Sequence, residues 1–583
     1  MPSRELPLEQ TPDLPDFAVK VDGTALERVQ RDDVLRIDVH EEVGKLARAT
    51  LLVRNWDDEK NEVRHSDADT FRPGREIEVQ VGYNGELTTV FSGIVVELAA
   101  DFVSNRQPVL EVVCRCKGAL LAGARRSRIV EEGKDGDLVS TVAGDYALTA
   151  DAADGAEHPF LVQASRVDWD FLAERAAALG LALYVRGDSL VFKPPQVTAD
   201  PMVTLTWNAN LLELRLHEDL EARTAQTTAA AWDPEALEAA DAEATAGEAA
   251  LPAGARPGVE AALGDAGWAK REDRLAHPGP LGPDELSKRA HARVDRNALR
   301  EFHGAGRSVG LPQLRIDGTI EIAGVGTRFA GRHYVSAVRH TLDRHGYVTE
   351  FQLGVPPELR PACCGRAAAP GIVPGIVDDI DDPNGQGRVR VSLPWLDPDI
   401  PSVWARLAVP AAGDKRGFFW IPEVGDEVIV GFLGDPSFPV VLGCVWNGQQ
   451  APPKTLDAST NAIRSLVSRS GHELTFDDTD GAEMVLVKTK AGQTITVDDA
   501  SGSETIALQD KSSNKLTLDS KGITLEAASG ADVSIKASSG KVSIDCLQLE
   551  AKASSTAKLE ASATLDIQAS ATLGLKGALV NIN

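Results

Sequence analysis

From Lys454 to Asn583 the chain has no proline, and Phe476 is the sole aromatic residue in that stretch. Aromatics make up only 5% of the whole sequence, so long segments must hold together without aromatic cores. Cysteine is scarce as well: Cys114, Cys116, Cys363, Cys364, Cys444 and Cys546 are all there is in 583 residues. That density excludes a disulfide framework, and the spacings match no zinc motif. Structural roles and synthesis in a reducing cytoplasm are expected. Basic residues are outnumbered, 60 against 87 acidic. A surface so poor in positive charge argues against sequence-independent nucleic-acid binding and against docking on anionic membranes. No run of about 18 apolar residues occurs, which excludes a membrane-spanning helix. The opening MPSRELPLEQTPDLPDF lacks a basic segment followed by an apolar one, so no secretory signal is expected.

Catalytic signatures are missing too. HExxH, the P-loop, GxSxG and GxGxxG do not occur. GAGRSVG (304–310) has the wrong spacing for a phosphate loop and reads as a turn. DDIDDPNGQGR (378–388) fails as a calcium loop: counted from Asp379 the third ligand position has no Asp or Asn, and counted from Asp382 the twelfth is Leu393. It reads as a solvated turn. Ser512 and Lys515 fit SxxK without companion motifs, and the pair Asp477/Asp478 is unremarkable in so acidic a chain. The 11 histidines show no ligand spacing, and His340 and His345 read as strand-end or turn residues. No catalytic, cofactor-binding or metal residue is assigned.

What is present is mostly strand. An apolar fraction of 43% with 25% charge is that of a globular protein, and the length suggests about three to five domains. Residues 1–119 carry alternating segments such as RDDVLRIDVHEE and REIEVQVGY, with Asp22-Gly23 and Asn84-Gly85 as turns, and read as a β-barrel or sandwich. Residues 120–199 read as a small α+β segment. Asp137 and Asp168 open helices there, Gly180 stands where a helix ends, and LALYVRG with DSLVFKPP makes a hairpin. Residues 200–360 return to strands. They are interrupted by an Ala/Pro-rich insertion (234–283), whose 234–258 portion reads as a short helix and a mobile segment, and by a helix over 284–300. A linker (361–375) leads to a compact all-β module (376–450) punctuated by Gly and Pro.

The last ~130 residues change character. Ser, Thr, Ala, Lys and Asp dominate, and apolar-x-apolar beats recur: Ile495/Val497, Ile506/Leu508, Leu516/Leu518, Ile523/Leu525. ASATL stands at 561–565 and again at 569–573. Leu549, Leu565 and Leu573 keep a period of eight, as do Leu559, Ile567 and Leu575. Before about Leu547 the pattern is looser. A beat offers two inward side chains, each contributing about 1.5–3 kcal/mol when buried. Fixing a backbone residue costs about 1–2 kcal/mol. One chain's beats are too poor to close a core alone, so this region is expected to share its core with other chains.

Four stretches resemble the VgrG-like spike, or tail hub, of contractile injection systems and contractile phage tails. They are VDWDFLAERAAALGLALYVRGDSLVFKPP (167–195), GVGTRFAGRHYVSAVRHTLDRHGYVTEFQLG (324–354), the module from GIVDDIDDPNGQGRVRVSLPW to GFFWIPEVGDEVIVGFLGDPSFPVVLGCVWNG (375–448), and GHELTFDDTDGAEMVLVKTK (471–490). The resemblance implies a mainly β protein. Its parts would be two β-barrel hub domains with a small α+β insert, an OB-fold barrel, a neck over 451–490 and a trimeric β-helix needle over 491–583. It implies a homotrimer that seats on the inner tube protein and baseplate proteins, bears a PAAR-type tip protein or effector cargo, and punctures the target cell envelope by force. Such a particle component is made in the cytoplasm and delivered outward on contraction. The apolar beats Leu549, Leu559, Leu565, Ile567, Leu573 and Leu575 would face the needle core, and Leu579, Val580 and Ile582 the capping protein. Only about 23 residues separate Gly448 from His472, too few for the lysozyme domain that some phage spikes carry there. The sequence reaches Asn583 still in repeat, so no appended toxin domain is expected. The 234–258 insertion has no counterpart in the resemblance. A cell-wall hydrolase or toxin-bearing spike and a trimeric receptor-binding fibre are the alternatives.

Overall fold

The computed structural model describes residues 14–219, 221, 223–233, 238–246, 271–277, 280–355, 371–393 and 401–582. The chain divides into two units, one reaching Gln450 and one starting at Ala451. Cys363, Cys364 and most of the 361–375 linker lie outside the described residues, as do 234–237 and 247–270.

Period-two burial builds the first unit. Along Val34–Glu42, Ile37 and Val39 are buried while Arg36 and His40 are exposed; along Arg48–Arg54, Ala49, Leu51 and Val53 are buried. That alternation suits strands packed on one face. Thirteen strands join one sheet. Its N-terminal and later strand sets keep separate cores, one around Val39, Leu51 and Val79, the other around Leu205, Ile320 and Phe351. The sets meet where Val34–Glu42 pairs antiparallel with Gly331–Asp343, Ile37 opposite Leu342 and His40 opposite Arg339. Arg315 reinforces the joint with two 2.8 Å contacts to the buried Glu41 carboxylate, a bidentate geometry that is stronger than a single hydrogen bond.

The α+β segment carries helices Asp135–Asp145 and Asp168–Leu179. The second ends at Gly180, which has φ 70°. A Cβ there would approach Ala292 to 2.8 Å. Glycine is therefore required both for the left-handed turn and for the close passage of helix Pro283–Glu301.

Three sequence expectations are corrected in this unit. GAGRSVG (304–310), read as a turn, lies almost wholly in the strand Phe302–Val309, paired on both sides. The Ala/Glu composition after residue 234 predicts a short helix, but Glu238–Thr245 is a strand. It pairs with Gln226–Asp233, which also pairs with Glu272–His277. Alanine favours helices, yet Ala240, Ala242 and Ala244 alternate with Asp241 and Glu243. The alanine face packs with Ala229 and Ala231 against Leu286, Ala290 and Val294 of the long helix. Packing overrides propensity here. His340, expected at a strand end or turn, is paired on both sides within Gly331–Asp343, three residues from its end, at 1% exposure, its ring nitrogen 2.8 Å from the Tyr347 hydroxyl. His345 does occupy a turn, its N–H donating to Asp343.

Five strands, Val373–Asp379, Val389–Ser392, Val403–Leu407, Glu427–Phe432 and Pro439–Cys444, form a closed barrel around Val377, Val391, Ala405 and Val428. The mainly β class read from the sequence holds. The 378–388 loop is a tight turn: Asp382 accepts N–H bonds from Asn384, Gln386 and Arg388 and a 2.7 Å contact from the Arg388 guanidinium.

The second unit is a meander. Seven strands of five residues, from Ile463–Val467 to Gly522–Glu526, pair antiparallel in sequence order. The strand series crosses residues 490 and 491 without a break, although composition suggests a neck ending there. Described residues beyond Glu526 form no strand.

Candidate functional site

The meander's register brings the apolar beats into two unbroken rows. In the first, Leu466, Leu474, Val487, Ile495, Leu508, Leu516 and Leu525 stand directly opposite one another from strand to strand. In the second, Phe476, Val485, Val497, Ile506, Leu518 and Ile523 do the same. Members of the two rows on one strand are two residues apart and so share a face. The central row of the opposite face reads Ser465, Thr475, Leu486, Thr496, Ala507, Thr517 and Thr524. One face of the sheet is therefore apolar along its whole length, aliphatic but for Phe476, and the central row of the other is chiefly hydroxyl-bearing.

The aliphatic face is open. Leu466 is 48% exposed, Ile495 45% and Ile523 75%. A contiguous apolar surface of this kind marks an interaction site. The sequence-predicted needle-core residues Leu549, Leu559, Leu565, Ile567, Leu573 and Leu575 are also exposed in the single chain, as are Leu579, Val580 and Ile582. No strand brings them together, so the single chain supplies no core for them.

The turns that fix this register are built from side-chain caps. Asp477 accepts the Thr479 N–H at 3.0 Å and Asp498 the Ala500 N–H at 2.9 Å. Glu483 accepts from Gly481 and Glu504 from Gly502. Both glycines have positive φ, 75° and 81°, a conformation glycine adopts without strain. Backbone donors hold the Glu504 carboxyl below its ordinary range. These turns repeat as DDxxGxE at 477–483 and 498–504, 21 residues apart. The sequence reading misses that repeat because the period of eight near the C terminus dominates. The doubled DDxxGxE was the available signal. Of the SxxK pair, Ser512 lies in the turn that follows, where Asp510 accepts its N–H, and Lys515 opens the next strand.

A second exposed apolar feature lies on the five-stranded barrel. Phe419 is 88% exposed, and Phe418 and Trp420 stack at 6.1 Å. Elsewhere chemistry is sparse. Cys114 and Cys116 are buried, and burial pushes the Cys114 thiol up to about 12, which removes its nucleophilic form. Among the described residues no group of three or more His, Cys, Asp or Glu side chains is placed to hold a metal ion, and no helix is long and apolar enough to cross a membrane.

Comparison with known proteins agrees with this layout. The family model for the Alg8 N-terminal domain matches residues 11–344. The type VI secretion system/phage-baseplate injector OB domain matches 373–446, and the phage baseplate V C-terminal trimerisation domain matches 483–550. The type VI secretion system spike protein VgrG3 of Vibrio cholerae is 36% identical over 110 residues, 17% of this chain and 11% of that protein. The actin cross-linking toxin VgrG1 of Vibrio cholerae is 35% identical over 108 residues, 17% of this chain and 10% of that protein. The match thus spans about a tenth of these relatives' length. A chain of the Francisella PdpA–VgrG complex covers 88% of this chain, and 88% of it is covered in turn, at 11% identity and a TM-score of 0.52, which is a likeness of fold.

Proposed function

Because the chain belongs to the Alg8 N-terminal domain family and joins that domain to an injector OB domain and a baseplate trimerisation domain, we propose that it is the central spike of a contractile injection particle and works as a homotrimer. The observation that carries this reading is the open aliphatic face of the meander, most of which lies within the trimerisation match at 483–550. Copies of the chain turn these faces inward and share one core. The exposed beats from Leu549 to Leu575 extend the same core, and Leu579, Val580 and Ile582 offer the end on which a PAAR-type tip protein or effector cargo sits. The large first unit seats on the inner tube and baseplate. Sheath contraction supplies the energy, and the spike passes the force to a narrow tip that punctures the target envelope. Hydrogen-bonded strands with an interlocked core resist bending, which suits that task.

The role is mechanical rather than enzymatic, and a peptidoglycan-clearing assay on the purified chain is expected to be blank. The interface is tested by Ile495→Asp, Leu508→Asp and Ile567→Asp. Each places several uncompensated charges in the shared core, one per copy. Loss of the assembled species by light scattering is expected for each, and undiminished assembly contradicts the inward placement of these residues.

A further inference from the structure

The two lateral rims of the meander carry opposite charge. One rim is made by the turns 478–483, 499–504 and 520–521, and there Asp478, Asp480, Asp499 and Glu504 are exposed. The other is made by the turns 468–472, 489–493 and 510–514 with their flanking residues, where Arg469, Lys488, Lys490 and Lys511 are exposed. The exceptions are largely occupied. On the basic rim, Glu473 is paired with Lys454 at 2.6 Å, and the Asp510 carboxylate accepts from Ser512 and Asn514. On the acidic rim, Arg464 is paired with Asp478 at 2.7 Å and Lys521 stands among carboxylates, while Glu526 is exposed at the end of the basic rim. The aliphatic face between the rims says that a partner covers the sheet, and the rims say how that partner is turned.

We propose, building on the trimer reading above, that the partner is a second copy of this chain docked rim to rim, the acidic turns of one copy against the basic turns of the next. Opposite rims make the contact heterologous, and a heterologous contact that closes gives a ring. A two-fold arrangement that sets like rim on like rim would face carboxylate on carboxylate. The charges therefore act against wrong pairings and set the orientation of the copies, which is what charge complementarity does best. The aliphatic rows supply the adhesion.

The test compares four full-length chains by light scattering at low and high salt, with circular dichroism to follow β-structure. They are the unmodified chain, Lys488→Glu/Lys490→Glu, Asp480→Lys/Asp499→Lys, and the chain carrying all four substitutions. Each double variant replaces attraction at two positions of the facing rims with like-charge repulsion. At low salt it is expected to fall to single-chain mass at concentrations where the unmodified chain stays assembled. At high salt, where screening shortens the reach of exposed charges, it regains assembly. The fourfold variant restores opposite charge between the exchanged positions and is expected to regain assembly at low salt. Should a double variant fail to fold, Lys490→Glu and Asp480→Lys singly give the same reading, a several-fold rise in the concentration at which the assembly dissociates. Double variants that assemble normally at low salt overturn the rim docking and leave the trimer standing. So does a fourfold variant that folds but stays single. An unmodified chain of single-chain mass overturns both.

Discussion

Arg175 lies between two buried carboxylates, 2.7 Å from Asp135 and 2.9 Å from Glu285, with His158 beside it at 2.9 Å. Burial alone would raise the Asp135 carboxyl, but His158 and Arg175 hold it well below the usual carboxylate range. Removing the cation strips the central partner from both acids, leaving Asp135 to His158 and Glu285 to Arg289 and His158. Arg175→Met is expected to destabilise the first unit by about 3–5 kcal/mol, read as a lowered urea midpoint. His340 gives a second residue-scale prediction. Its burial pushes the imidazole down to about 4 from 6.5. Above pH 6.5 the ring is neutral in both states and its contribution is intact. As pH falls from 6.5 to about 4 the unfolded chain takes up a proton that the folded chain refuses, and stability drops by roughly 3 kcal/mol. The loss saturates below the folded value. Urea midpoints at pH 7 and pH 5 should differ more in the natural protein than in His340→Phe. The carboxylates of the Arg175 cluster titrate in a separate, more acidic window.

At the scale of elements, Gly180 decides where two helices meet. Gly180→Val imposes a β-branched residue at φ 70° and drives a side chain into Ala292. A loss of at least about 2 kcal/mol in unfolding free energy is expected, whereas the same change at Gly187, a hairpin glycine with no atom within 4 Å of its Cβ position, carries only the backbone strain. This glycine was legible in the sequence, since it follows an apolar-periodic run opened by Asp168. The strand Glu238–Thr245 was not: its alternating alanines carry little hydrophobic signal, and only the neighbouring helix face gives them a direction. His340 was misread for a related reason. Its partners Tyr347 and Thr349 come from the adjoining strand, and no local spacing announces them. In the meander the apolar beats were visible but their alignment was not. The first five turns alternate between five and six residues, and a one-residue slip would flip a strand's beats to the other face. Side-chain caps fix that register, from Asp and Glu in most turns and from Ser468 and Thr489 in the turns 468–472 and 489–493.

On the scale of the whole molecule, the sequence conveyed the class and the barrel module, and its sparse beats suggested a partner. It could not convey the open face, because a surface is legible only once strands are aligned. A first unit with its own cores and buried ion pairs and a meander with an uncovered apolar face have different requirements. The first has its own cores; the second, on the spike reading, is completed by other copies of itself. The solution mass of the full-length chain tests this most directly. Multi-angle light scattering on the purified protein should give three times the 62.0 kDa of one chain, with no smaller species at working concentration. A mass of one chain, with the meander still folded, would contradict the shared core and the spike built on it.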